Sequence, residues 1–212
     1  MKTYRTIEDS LREEYFRIIP LLERIYGHAE AYLLNILLSF RDAQQPYDKI
    51  ELKKRIKSCD SAIDALRRRQ EARLFDCEKE NSYSLLQLHD LVGFRILAFP
   101  RALLESINSK IFSELEGWHS DPVYADEQKE LLYMYKYDGF LRQNDPVAIE
   151  IQVMPMLIGL FSDVEHDALY KPKEEYKNIN RALEMRQLKE EVVKSLNAFE
   201  SAFERYVLRD QQ

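Results

Sequence analysis

The sequence predicts an α+β domain with helical flanks, and three observations lead there. Residues 147–153, VAIEIQV, alternate apolar and polar with the two-residue period of a strand that has one packed face. Two further runs, LVGFRILAF and ELLYMYKYDGF, carry the β-branched and aromatic residues of strands. At both ends of the chain the apolar residues recur instead every three or four positions, which is helical.

The elements follow in order. From about Asp9 to Ser39, Leu11, Tyr15, Ile18, Leu22, Ile25, Ala29 and Ile36 share one helix face, and Pro20 should kink or divide that helix. The polar run RDAQQPYD ends it. KIELKKRIKS reads as a short strand with a basic exit, and SCDSAIDALRRRQEARL as a helix capped by Ser58 or Asp60. A strand from about Leu91 to Phe99 comes next, then a helix over 101–116 opened by Pro100. The strand in ELLYMYKYDGF ends at the turn signal Asp138-Gly139, and VAIEIQV follows it. A helix over 156–170 stops before Pro172, and Asn180 to about Leu208 forms a long amphipathic helix. The organisation is an N-terminal helical segment (1–48), a core (49–173) and a C-terminal helix (174–212) within one compact domain.

Bulk properties narrow the function. With 212 residues, 45% of them hydrophobic, and 23 Phe and Tyr residues together, the chain can bury a substantial core. A net charge of -6 argues against a general nucleic-acid coat or a basic membrane binder. Cys59 and Cys77 read as free thiols of a reducing compartment, and the charged N-terminus lacks the apolar core of a signal peptide, so the cytoplasm is expected.

Against that acidic background stands one basic cluster. Lys53, Lys54, Arg55, Lys57, Arg67, Arg68, Arg69 and Arg73 place eight of the 31 Lys and Arg residues within 21 positions. Cations leaving a strand, a serine turn and a helix start together suit phosphate oxygens. A solvated helix face paired with Asp60, Asp64 and Glu71 reads equally well from the same residues. Asp90, at the mouth of a strand, and Glu150, on a polar strand face, are candidate magnesium carboxylates, since Mg²⁺ commonly uses one or two. His89 beside Asp90 lacks the further histidines that a His-Asp metal hydrolase requires.

The segments RIKSCDS, HDLVGFRI and IEIQV…DVEHDALYK, in this order, resemble the synthetase domain of RelA/SpoT-type alarmone enzymes over about Lys49–Lys173, with flanking helices as in the small stand-alone members. The resemblance implies a mixed sheet of nucleotidyltransferase type. It also implies pyrophosphate transfer from ATP to the ribose 3′-hydroxyl of GDP or GTP, or of a related acceptor such as a tRNA 3′ end. Matched by position, Arg55, Lys57 and Ser61 belong to the loop gripping the ATP phosphates, with Arg95 on the neighbouring strand. Asp90 is the magnesium aspartate, and Glu150 activates the acceptor hydroxyl or helps hold the metal, with Gln152 its companion. Glu165, His166, Tyr170 and Lys171 match the helix-end signature, His166 and Lys171 on the acceptor side.

The sequence departs from that pattern at three places. The Gly-Tyr-x-Ser-x-His segment, whose tyrosine stacks on guanine, is missing, and Tyr137 is the ring on offer instead. Ala65 stands where a loop lysine is expected, leaving Arg67, Arg68 or Arg69 as substitutes, Arg68 being taken as the phosphate contact. Met154-Pro155 replaces the Arg-Thr after the glutamate strand. The expected functions are therefore a magnesium-dependent pyrophosphokinase or a nucleotide-binding relative without turnover. A homo-oligomer through the terminal helices is a further expectation.

Overall fold

The structure is a computed structural model that describes residues 7–41, 45–71, 84–126, 128, 130–165 and 179–209. Its elements are α1 (Ile7–Leu38), β1 (Lys49–Ile56), α2 (Cys59–Glu71), β2 (Val92–Phe99), α3 (Arg101–Glu114), β3 (His119–Tyr124), β4 (Leu132–Gly139), β5 (Ile149–Pro155), α4 (Met156–Glu165) and α5 (Ile179–Arg209). A 3₁₀ turn, Leu85–Gln87, precedes β2. Pro20 neither divides nor ends α1. Strand β3, HSDPVY, has no clean alternation and was not expected; pairing with β4 defines it.

The five strands form one mixed sheet in the order β1-β2-β5-β4-β3. β2 and β5 run parallel at its centre, and the other neighbours are antiparallel. This is the α+β architecture, with a mixed open sheet, that the sequence and the resemblance led us to expect.

Alternation divides the sheet into two faces. On the back, Phe94 and Ile151 are in register with Tyr137 and belong to the main core, against the buried residues of α1 and α3 such as Leu22, Leu33, Leu104 and Ile107. Tyr26 of α1 stacks on Phe94 with ring centroids 5.6 Å apart. Lys54 also points back, where it pairs with Glu30 and lies over the Tyr26 ring.

The front is covered over only part of its length. A second apolar cluster joins Leu97 and Met154 of the sheet to Ile158 of α4 and Val193 of α5. Gly159 allows this approach: a Cβ there would lie 2.3 Å from Leu97 Cδ2. The same close seating brings the last turn of α4 over the uncovered half of the front face.

Candidate functional site

Two rows of side chains cross the uncovered half of the sheet, and strand register places them side by side. The first row runs Arg55, Gly93, Glu150, Asp138, and the second runs Lys53, Arg95, Gln152, Lys136. Neighbouring strands lie roughly 4.8 Å apart, so adjacent members of a row are within side-chain reach. A cavity of about 360 Å³ opens above the β1–β2–β5 portion, lined by Lys53, Arg55, Arg95, Glu150, Gln152 and, from α4, Asp163.

The cations are held unequally. Arg95 donates from Nε to Gln152 Oε1 at 3.0 Å and from Nη1 to Asp163 Oδ1 at 2.6 Å. Lys53 donates to the other Asp163 oxygen. Arg55 makes no ion pair or hydrogen bond to another described residue. Its side chain crosses Gly93, where a Cβ would sit 3.6 Å from Arg55 Nε.

Glu150 is nearly enclosed, with 12% of its side chain exposed, and both oxygens are engaged. Gln152 Nε2 donates to Oε1 at 2.7 Å, and Lys136 Nζ lies 3.0 Å from Oε2. Lys136 also lies 3.1 Å from Asp138 Oδ2. Burial, the largest influence on Lys136, pulls its pKa down, but Glu150 and Asp138 outweigh it and the net shift is upward. The ammonium is thereby held charged.

Asp90 and Lys57 form a second, separate centre beyond the strand ends. Lys57 leaves β1 with its N–H donating to Leu91 O at 2.8 Å, and its ammonium pairs with Asp90 Oδ2. Arg69 Nη2 approaches Asp90 Oδ1 at 3.6 Å, outside hydrogen-bond range. Burial, the largest influence, raises the Asp90 pKa, yet Lys57, Arg69 and Arg55 together bring it below the ordinary value. Lys57 has one carboxylate to set against burial and two neighbouring arginines, and its own pKa falls. The pair therefore favours the carboxylate more than the ammonium.

Several sequence-predicted residues come together and others do not. Arg55, Arg95, Glu150 and Gln152 share the cavity, whereas Lys57 and Asp90 face each other at its margin and do not line it. Ser61 is exposed in the first turn of α2, where its Oγ accepts from Ser58 Oγ at 2.9 Å. Arg68 is exposed, and its Nε donates to the carbonyl of Asp64 within its own helix. Ala65 is buried, and Arg69, one helical turn further along that side of α2, is the arginine that reaches Asp90.

Tyr137 is a correction. It is 1% exposed on the back of the sheet, with its hydroxyl donating to Asn108 Oδ1 at 2.6 Å, so it cannot offer a ring to a ligand in front. Tyr135 and Tyr137 both hydrogen-bond to α3, and the even-numbered Lys136 and Asp138 between and after them face forward. His166, Tyr170 and Lys171 lie outside the described residues, as does the side chain of Glu165.

Sequence reasoning missed Lys136, Asp138 and Asp163. The first two were detectable in the alternation of YMYKYDG, two charges on one strand face. Asp163 carried no comparable signal, being one acid at the end of the apolar helix MLIGLFSDVE.

No protein-family model matches the chain, and no curated protein sequence matches it. Solved structures do. Small alarmone synthetase 1 of Bacillus subtilis bound to its product pppGpp superposes with a TM-score of 0.68 at 13% identity, covering 94% of this chain and 100% of that one. The same enzyme bound to AMPCPP gives 0.62 at 18% identity, over 93% and 99% of the two chains. A GTP pyrophosphokinase family protein from Streptococcus pneumoniae gives 0.59 at 14% identity, over 93% and 96%. The chain has the fold of the small alarmone synthetases over nearly its whole length. No helix among the described residues is long and apolar enough to cross a membrane.

Proposed function

We propose that the protein binds the polyphosphate of ATP in the front cavity and transfers a pyrophosphate group to a 3′-hydroxyl, that of GDP or GTP or of a related acceptor such as a tRNA 3′ end. The observation that carries this reading is Glu150 placed at the edge of a cavity lined by Lys53, Arg55 and Arg95. Transfer of a phosphoryl-type group depends on charge neutralisation and alignment more than on covalent chemistry. Three cations on adjacent strands supply the first requirement. A carboxylate beside them is the proton acceptor that an attacking hydroxyl needs. Proteins of the same fold hold pppGpp and AMPCPP, a guanosine polyphosphate and an ATP analogue, which supports nucleotide ligands for this chain.

Lys136 and Gln152 orient the Glu150 carboxylate, one on each oxygen, and Asp138 holds Lys136 in turn. Magnesium fits the residues in part. Asp90 Oδ1 is buried without a hydrogen-bond partner, which suits a site taking one protein carboxylate and the rest of its shell from phosphate and water. Glu150, the other expected ligand, already has both oxygens occupied. Bound through Asp90, magnesium would neutralise polyphosphate charge.

The test is AMP release from ATP, with and without GDP, GTP or a tRNA 3′ end and with and without magnesium, for the native chain and Glu150→Gln. Acceptor-dependent AMP that disappears in the variant is expected. AMP that no acceptor elicits would refute transfer. A second reading, nucleotide binding without turnover, is favoured by the Lys136 ammonium already seated on Glu150. Calorimetric binding of ATP with no AMP from any acceptor would select it. Self-association through the terminal helices would rest on exposed Phe16 of α1 and Phe199 and Tyr206 of α5, and sedimentation measures it.

A further inference from the structure

The cavity receives an anion from the protein itself. Lys53 and Arg95 are direct cross-strand partners, two like charges side by side, an arrangement that is unfavourable without a counter-ion over both. Asp163 is that counter-ion: one carboxylate oxygen takes the Lys53 ammonium and the other takes Arg95 Nη1 at 2.6 Å. Two oxygens on one centre bridging two neighbouring cations also describe how a phosphate group would sit there. Arg55, in the adjacent row of the same cavity, has no such ion-pair partner among the described residues.

The bridge is not locked in place. The Asp163 side chain is 38% exposed, and its residue belongs to the last turn of a ten-residue helix. The ion pairs are only partly buried, within reach of solvent that can take over the released carboxylate, so one anion can be exchanged for another. Arg55 is open to an arriving polyphosphate, while Lys53 and Arg95 become available only when Asp163 withdraws.

We propose that Asp163 is a built-in competitor for the phosphate subsite, so that the free chain is autoinhibited at this position and a ligand must displace the carboxylate from Lys53 and Arg95. This rests on the reading of the front cavity as a polyphosphate site. The competition acts on affinity and sets which ligands succeed. A chain of several phosphates can engage Arg55 first and then replace Asp163, whereas a single phosphate has no such foothold.

The experiment is calorimetric titration of the full chain with inorganic tripolyphosphate and with orthophosphate. The native protein is compared with Asp163→Asn, Asp163→Ser and the control Glu51→Gln, which removes a carboxylate 3.9 Å from Lys53 that does not bridge to Arg95. Both Asp163 variants are expected to bind tripolyphosphate about tenfold tighter than the native chain, and Glu51→Gln within about twofold of it, because only the bridging carboxylate competes directly. Orthophosphate should bind measurably only once Asp163 is replaced. Native binding of tripolyphosphate with unchanged or weaker binding in the Asp163 variants would overturn the proposal and leave the polyphosphate site standing. An equal gain in Glu51→Gln would also overturn it, reducing the effect to net charge. Failure of all four proteins to bind tripolyphosphate would refute the polyphosphate site itself, and the competition with it.

Discussion

The two sides of Glu150 are built from the same alternating strands and differ in how charge is balanced. Toward β1 and β2, Lys53 and Arg95 stand next to each other and Arg55 has no described ion-pair partner, so the surface holds more positive charge than the sheet neutralises. Toward β4, one ammonium lies between two carboxylates, Lys136 between Asp138 and Glu150, so this side is net negative and its one cation is neutralised within the sheet. Like charges opposite one another across strands create demand for an external anion, and unlike charges satisfy themselves. On the proposed function, the first side receives the anion and the second holds a carboxylate in place.

The variants that sharpen this contrast run from large effects to small. Glu150→Gln should lower acceptor-dependent AMP formation by about 10³-fold while leaving ATP affinity within twofold, since it removes the proton acceptor and keeps the cations. Equal losses in turnover and binding would place Glu150 in the receptor half instead. Lys57→Ala leaves the mostly buried Asp90 carboxylate with only the more distant arginines, and a loss of about 2 kcal/mol in denaturant unfolding is expected.

A pH-dependent control lies outside both sides. Glu200 of α5 is buried with neither carboxylate oxygen hydrogen-bonded to a described residue, and burial, reinforced by Glu204, pushes its pKa up to about 7. A raised acid favours the folded state fully below its ordinary value of 4.5, and that advantage disappears as pH climbs through about 7. Glu200→Gln should therefore flatten the decline in thermal stability between pH 5 and 8, an effect of up to about 3 kcal/mol. An unchanged pH profile would show that the carboxyl finds a partner.

Smaller effects separate the two sides directly. Arg55→Ala should weaken ATP binding about tenfold, the loss of one charge-assisted contact. Lys136→Ala should leave that binding within about twofold and act on turnover alone. If Lys136→Ala weakens ATP as much as Arg55→Ala does, the receptor extends across Glu150 and the division fails.

Much of this was legible in the sequence because it depends on period. VAIEIQV announced a strand with Glu150 and Gln152 on one face, and that is where they are. The same rule applied to YMYKYDG puts Lys136 and Asp138 in front and Tyr137 behind, so the period outranks the appeal of an aromatic ring. The helical spacings of α1 and α5 were equally plain. Strand β3 was not, since its neighbour selects it and its own residues hardly alternate. Arg68 and Arg69 could not be told apart either: on a helix, one residue turns the side chain by roughly 100°, and only the packing of α2 says which one meets Asp90.

The sequence by itself determined the elements other than β3, the two faces of the alternating strand that carries Glu150, and the excess of cations near β1, because these are local properties of an alternating or helical chain. Tertiary structure alone decided which charges meet. Strand order set Arg95 between Lys53 and Gln152, and the seating of Gly159 on Leu97 carried Asp163 over both cations. Residues more than a hundred positions apart come together only through packing, and no local pattern encodes that distance.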